Sequence, residues 1–203
     1  MDASGIERAR SLVGTGSNPD GRPNTDFYAT PEYATKALLD REPFGHTILE
    51  PACGTGSMSE VLMDYGYDVY SSDLYHHGYG LTGINFLEAY EYYDQWLEKF
   101  DAIITNPPYR EAEAFLKQAL RMTEPTQGKV ALLLKLQFLE GQKRKLLLQR
   151  SPLSRVYVFS KRLTFTRNNE PVGNSGMMAF AWYVWDWSIL YTHGCKHTHL
   201  EWI

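Results

Sequence analysis

Phe100-Asp101-Ala102-Ile103-Ile104-Thr105-Asn106-Pro107-Pro108-Tyr109 is a short apolar run that ends on a proline pair. The run Phe100 to Thr105 reads as a buried strand. The prolines fix φ and supply no amide N–H, so the strand stops there and the chain turns. In that rigid turn the carbonyls of Asn106 and Pro107 can point into a pocket. The side-chain oxygen of Asn106 and a backbone carbonyl can together accept the two hydrogens of an amino group, and Tyr109 offers a flat face on which a planar group can stack. A Pro-Pro turn is also a common structural feature, so its meaning depends on the residues around it.

Upstream lies Glu50-Pro51-Ala52-Cys53-Gly54-Thr55-Gly56, at the junction of a strand (His46 to Glu50) and a helix (Ser57 to Tyr65, stopped by Gly66). Glycines there let the backbone turn tightly and come close to a ligand. The third glycine of a dinucleotide fingerprint is missing, and alone the turn is weak evidence. Asp73 ends the next strand (Val69 to Asp73), 17 residues after Gly56. An acid in that place can accept hydrogen bonds from ribose hydroxyls. Thr30-Pro31 reads as an N-cap followed by proline at the first helical position, opening a helix over Glu32 to Asp40.

The remaining pattern continues strand by helix. A loop over 74–83 with three glycines leads to a short strand at Ile84 to Leu87 and a helix at Glu88 to Lys99. After the Pro-Pro turn come a helix (Glu111 to Met122), an apolar strand (Lys129 to Leu136) and a basic helix (Glu140 to Gln149). Two last strands follow, Arg155 to Ser160 and Ala179 to Trp187. This alternation implies an α/β fold with a mostly parallel, seven-stranded sheet and helices on both faces. The last two strands have no helix between them, which implies an antiparallel last strand. With 203 residues the chain fits one domain. We expect a flexible arm over residues 1–27 and a single domain over 28–203.

Taken together, these motifs resemble the amino-methyltransferases, class I S-adenosylmethionine enzymes that methylate adenine N6, cytosine N4 or a glutamine amide. The resemblance spans about residues 28 to 187 and implies a Rossmann-like class I methyltransferase fold. It implies S-adenosylmethionine as cofactor, with S-adenosylhomocysteine as product. The tetrapeptide Asn106, Pro107, Pro108 and Tyr109 would be the catalytic element. The cofactor would be held by Tyr28, Thr30 and Pro31, by Glu50, Pro51, Ala52, Cys53, Gly54 and Gly56, by Asp73 and Leu74, by Asn85 and Phe86, and by Asn106 and Phe115. The sequence departs from the family at Asn85, where an acid is usual, and at Glu50, where Asp is common. An amide oxygen still accepts a hydrogen bond, but a weaker one than a carboxylate accepts.

Arg162 to Phe165, the polar loop after it and Trp182 to Trp185 look like the base-flipping loop and following strand of small, phage-type DNA adenine methyltransferases. The implied reaction is direct attack of the N6 amine of a flipped-out adenine on the sulfonium methyl. RNA and protein glutamine enzymes share the tetrapeptide, and a non-catalytic cofactor-binding subunit would keep it too. The glutamine enzymes usually carry an added N-terminal helical domain, whereas about 45 residues precede the first strand here. The loop Arg162 to Met178 is long enough to be functional. We expect it to be mobile without DNA and to bring Phe165 onto the flipped base.

The net charge of −4 conceals an asymmetry: Lys129 to Arg167 holds ten Lys or Arg against one acid, a local balance of +9 that leaves −13 for the rest. Such a stretch can form a phosphate-binding face, and Lys143, Arg144, Lys145, Arg162 and Arg167 are the candidates beside Tyr109 and Phe165. An ordinary solvated helix and loop would look the same. DNA is the expected partner, with a homodimer or partner subunit compensating for the lack of a separate target-recognition domain. Only Cys53 and Cys195 are present, which excludes a disulfide framework. No run of about 18 apolar residues and no basic, apolar leader occur, so no membrane span is expected and the location is expected to be cytoplasmic. His193, Cys195, His197 and His199 alternate, but four ligands so close together rarely all reach one ion, so no metal is expected.

Overall fold

The computed structural model describes residues 28–88, 99–167, 170–171, 178–189 and 197–203. The main sheet contains β1 (Thr47–Glu50), β2 (Asp68–Asp73), β3 (Leu81–Thr82), β4 (Ala102–Thr105), β5 (Lys129–Lys135), β6 (Leu153–Val158), β9 (Phe180–Asp186) and β10 (His199–Trp202). Their order is β10-β6-β9-β5-β4-β1-β2-β3. Two short strands, β7 (Thr166–Arg167) and β8 (Glu170–Pro171), pair separately. The four described α-helices are α1 (Glu32–Leu39), α2 (Ser57–Asp64), α3 (Ala112–Thr123) and α4 (Gln142–Arg150).

Among the described residues the main sheet has eight strands, not seven. Strands β1, β2, β3, β4 and β5 pair in parallel, and β9 runs antiparallel to both β5 and β6. The antiparallel strand is not the last: β10 follows and pairs parallel with β6. The strand expected at Ile84 to Leu87 is instead a 3-10 turn, Phe86–Glu88, and the pairing segment is Leu81–Thr82. Asn85 explains the turn, because its side-chain oxygen accepts the Leu87 amide at 3.1 Å and so competes with strand pairing.

Burial on both faces accounts for the apolar runs. Leu49, Ile103, Val130, Leu132 and Leu134 face α3, while Ile48, Ala102, Ile104, Ala131 and Leu133 face α1 and α2. Successive residues of a strand point to opposite faces, so a strand covered on both sides is apolar throughout. In β9 Trp182, Tyr183 and Trp185 are fully buried, and each polar atom has a partner: Trp182 Nε1 donates to Ala34 O, Tyr183 OH to Leu136 O and Trp185 Nε1 to Ser151 Oγ.

Part of the basic stretch is spent inside the fold. At the end of the sheet where β5 begins, Glu42 and Asp186 are buried beside Lys129 and Arg155. Arg155 forks onto Glu42, Lys129 Nζ donates to Glu42 at 3.2 Å and to the Pro43 carbonyl at 2.7 Å, and Tyr157 OH donates to Glu42 at 3.0 Å. Two cations thus neutralise two buried acids, and neither Lys129 nor Arg155 contributes to an open basic face.

Candidate active site

The chain leaves β1 for β2 and β3 on one side and returns to β4 on the other. This reversal opens a crevice beyond the carboxyl ends of β1 and β4, the usual ligand position in such sheets. Three of the motifs identified in the sequence meet at that edge. Gly54 and Gly56 follow β1, Asp73 ends β2, and Asn106 follows β4.

The glycines are there for conformation and space. Gly54 and Gly56 have φ of +54° and +87°, and a Cβ on Gly56 would come within 2.5 Å of the Tyr79 ring. The helix that follows starts at Ser57, with Gly56 as its N-cap and no side-chain cap hydrogen bond. Tyr79 comes from the glycine-rich loop and packs on the turn, a contact that no local sequence pattern encodes.

Asp73 is tied to the same turn. Gly54 N donates to Oδ2 at 2.9 Å and Tyr75 N to Oδ1 at 2.8 Å. A carboxylate has about four lone-pair positions, so acceptor capacity remains for hydroxyl groups. Beneath the turn, Glu50 is fully buried and accepts from Ser59 Oγ, which also bonds Ser71 Oγ at 2.6 Å. Burial pushes the Glu50 carboxyl up to about 8, against the Ser59 hydrogen bond and with the help of Asp73. Cys53 is also buried, and desolvation together with Glu50 and Asp73 pushes its thiol up to about 12.

At the tetrapeptide, Asn106 Nδ2 donates to Thr30 Oγ1 at 3.1 Å, which leaves Oδ1 buried without a hydrogen-bond partner. Thr30 therefore orients Asn106 and does not cap α1, whose N-cap is Pro31 with no side-chain cap bond. Tyr109 lies against Phe180, with ring centroids 5.6 Å apart at 44°, and the Lys135 ammonium sits 4.7 Å from the Tyr109 centroid.

Other expected site residues fall as follows. Phe86 and Phe115 are buried and in contact, with centroids 5.0 Å apart. Pro51 is buried, while Ala52, Leu74 and Asn85 are half-buried. Tyr28 lies 6.5 Å from the Phe165 ring. Phe165 itself is only 5% exposed and packs edge-on to Phe180 at 4.9 Å, so it is a core side chain behind Tyr109 and not a loop tip. Arg144 is not free for phosphate: its guanidinium donates to the carbonyls of Phe138, Gln137 and Glu140 and covers the Phe138 ring. Lys143, Lys145, Lys161 and Arg162 are exposed. The 1–27 arm, most of the helix expected at Glu88 to Lys99, the Arg167 side chain, His193, Cys195 and much of the loop before Met178 lie outside the described residues.

No family model and no curated protein matches the sequence. Solved structures do match. A proposed class I S-adenosylmethionine-dependent methyltransferase from Listeria monocytogenes aligns over 98% of this chain and 72% of its own, at 14% identity and a TM-score of 0.58. The fold is that of class I methyltransferases. A proposed RNA methyltransferase from Pyrococcus horikoshii aligns over 91% of this chain and 98% of its own, at 14% identity and 0.57. The M protein of the type I restriction enzyme EcoKI (EC 2.1.1.72) aligns over 82% of this chain at 17% identity and 0.55. The chain spans about half the length of the restriction-enzyme modification subunits it matches. Among the described residues no helix is long and apolar enough to cross a membrane.

Proposed function

We propose that this chain transfers a methyl group from S-adenosylmethionine to the exocyclic N6 amine of adenine in DNA. The observation that carries the proposal is Asn106 Oδ1, a buried acceptor without a hydrogen-bond partner, directly after β4 and in the same tetrapeptide as Tyr109. A buried polar atom without a partner is costly in a folded chain, and an amine donor from a bound molecule would satisfy it.

The residues present fit the cofactor. Two glycines in left-handed conformations lie beside Asp73, whose carboxylate retains acceptor sites. On this reading Gly54, Gly56 and Asp73 hold the ribose end, with Phe86 and Phe115 near the adenine. When bound, S-adenosylmethionine supplies a methyl group to nucleophilic attack.

The adenine amine is a weak nucleophile because its lone pair is shared with the ring. Asn106 Oδ1 and the Pro107 carbonyl accept its two hydrogens, favour a more tetrahedral nitrogen and stabilise the positive charge that develops, each at about 2–4 kcal/mol. Thr30 keeps the amide turned so that oxygen, not nitrogen, faces the acceptor. Tyr109 stacks on the base. The duplex must release the base first, because no paired adenine reaches a pocket of this kind. Exposed Lys143, Lys145, Lys161 and Arg162 are the phosphate contacts.

The test is transfer from labelled S-adenosylmethionine to unmethylated DNA, RNA and protein extract, followed by nucleoside and amino-acid analysis. Label recovered as N6-methyldeoxyadenosine supports the proposal. Label only in RNA or glutamine replaces the substrate, and cofactor binding without transfer to any polymer makes the chain a binding subunit.

A further inference from the structure

The two lysines that bound β5 are treated very differently by the fold. Lys129 opens the strand and is bonded to Glu42, Asp186 and a carbonyl. Lys135 closes it and is half-buried. Among the described residues, no carboxylate lies within ion-pair distance of the Lys135 ammonium and no hydrogen bond reaches it. Its contact is the face of Tyr109. Lys135 pairs directly with Phe180 across β5 and β9, so their side chains share one side of the sheet, and both meet Tyr109.

A planar acceptor lying on that ring needs the space the ammonium takes. We propose that Lys135 is a specificity-determining residue that covers the Tyr109 face until a phosphate on the incoming acceptor draws it away. The inference rests on Tyr109 being the stacking face for the acceptor. A cation on a ring is weakly held, and a phosphate oxygen is a stronger partner. An acceptor that brings an anion on the sugar beside its base compensates for displacing Lys135. A neutral nucleoside or a glutamine amide does not, and must displace the ammonium unaided. The device selects for nucleotides without reading a base edge.

The experiment is calorimetric binding of adenosine and of adenosine 5′- and 3′-monophosphate at saturating S-adenosylhomocysteine, for the wild type, Lys135→Met and Lys135→Arg. In the wild type at least one nucleotide binds about ten-fold more tightly than adenosine, the scale of one charge-assisted hydrogen bond. In Lys135→Met that preference collapses towards unity, and adenosine itself binds about two- to five-fold more tightly because the ammonium no longer lies on the ring. Lys135→Arg keeps the preference. Affinity for S-adenosylhomocysteine reports whether each variant is folded, and Lys135→Gln replaces the Met variant if that one is not. An undiminished preference in the neutral variant overturns the role of Lys135 while leaving the acceptor site intact. A wild type that binds S-adenosylhomocysteine but neither nucleoside nor nucleotide overturns the acceptor site as well.

Discussion

Asn106→Ala should move activity and stability in opposite directions. The side chain makes one hydrogen bond, Nδ2 to Thr30 Oγ1 at 3.1 Å, and leaves Oδ1 buried without a partner. Deleting it loses that bond, a net cost of about 0.5–1.5 kcal/mol, and removes an unsatisfied acceptor whose burial costs about 1–3 kcal/mol. Thr30 is 6% exposed, so its hydroxyl is left short of one partner, which takes back part of the gain. At mid-range the two terms leave about 1 kcal/mol of stabilisation, and the Thr30 loss brings the net to between zero and about 1 kcal/mol. In a domain of this size that is a rise in Tm of roughly 0–4 °C. On the proposed function the same deletion removes the acceptor for the charge developing in the transition state, so kcat should fall by about 10²–10³. Thermal melting without ligand, single-turnover methyl transfer and calorimetric cofactor binding measure the three quantities separately. Asn106→Ala that melts more than 5 °C below the wild type but still turns over would mean that Oδ1 is satisfied in solution and that Asn106 is structural.

Glu42→Gln leaves Arg155 and Lys129 sharing the single carboxylate of Asp186; it should cost about 3 kcal/mol in denaturant unfolding, with S-adenosylhomocysteine affinity unaffected in the folded fraction. Replacing both Lys143 and Lys145 by Ala should flatten the log–log salt dependence of DNA binding by about 1.8 without moving Tm, whereas Arg144→Ala should lower Tm and leave the slope alone. Phe165→Ala should cost about 3–5 kcal/mol in stability and slow methylation of duplex and mismatched adenine equally, since the ring is packed on Phe180; a loss confined to duplex would restore it to base flipping. The folded chain keeps a proton on Glu50 up to about 8, whereas the unfolded carboxyl loses it near 4.5. The stability this proton contributes is full below 4.5 and is lost as pH rises to about 8, at up to about 1.4 kcal/mol per pH unit, and Glu50→Gln should abolish that slope in ligand-free unfolding curves.

The order of helices and strands was legible because burial on both faces writes itself locally: Ala131 to Leu134 is apolar without alternation, and the Pro-Pro pair stops β4 where the sheet ends. The short edge elements were not. A two-residue strand such as Leu81–Thr82 carries no periodicity, and β10 is held by pairing with β6, which its own residues do not announce. The glycine turn and Asp73 could be placed together because each ends a strand, and strand ends in a parallel sheet share an edge.

Thr30 and Lys135 show where sequence reasoning stops. Thr30 before Pro31 has the local grammar of a helix cap, yet its hydroxyl serves an amide 76 positions away. Lys135 was counted with the basic stretch, and nothing in that stretch distinguishes it from Lys129 or Lys143. What separates the three is the partner supplied by the fold: buried acids for Lys129, solvent for Lys143 and an aromatic face for Lys135. A charge count sees a balance of +9, but electrostatic work depends on which of those charges are already neutralised. For this chain the cations free to meet a polyanion are fewer than the count suggests, and one of them stands on the ring where the acceptor would lie. On the proposed reading, phosphate recognition and acceptor recognition are coupled through a single side chain, and a substrate without phosphate meets that side chain as an obstacle.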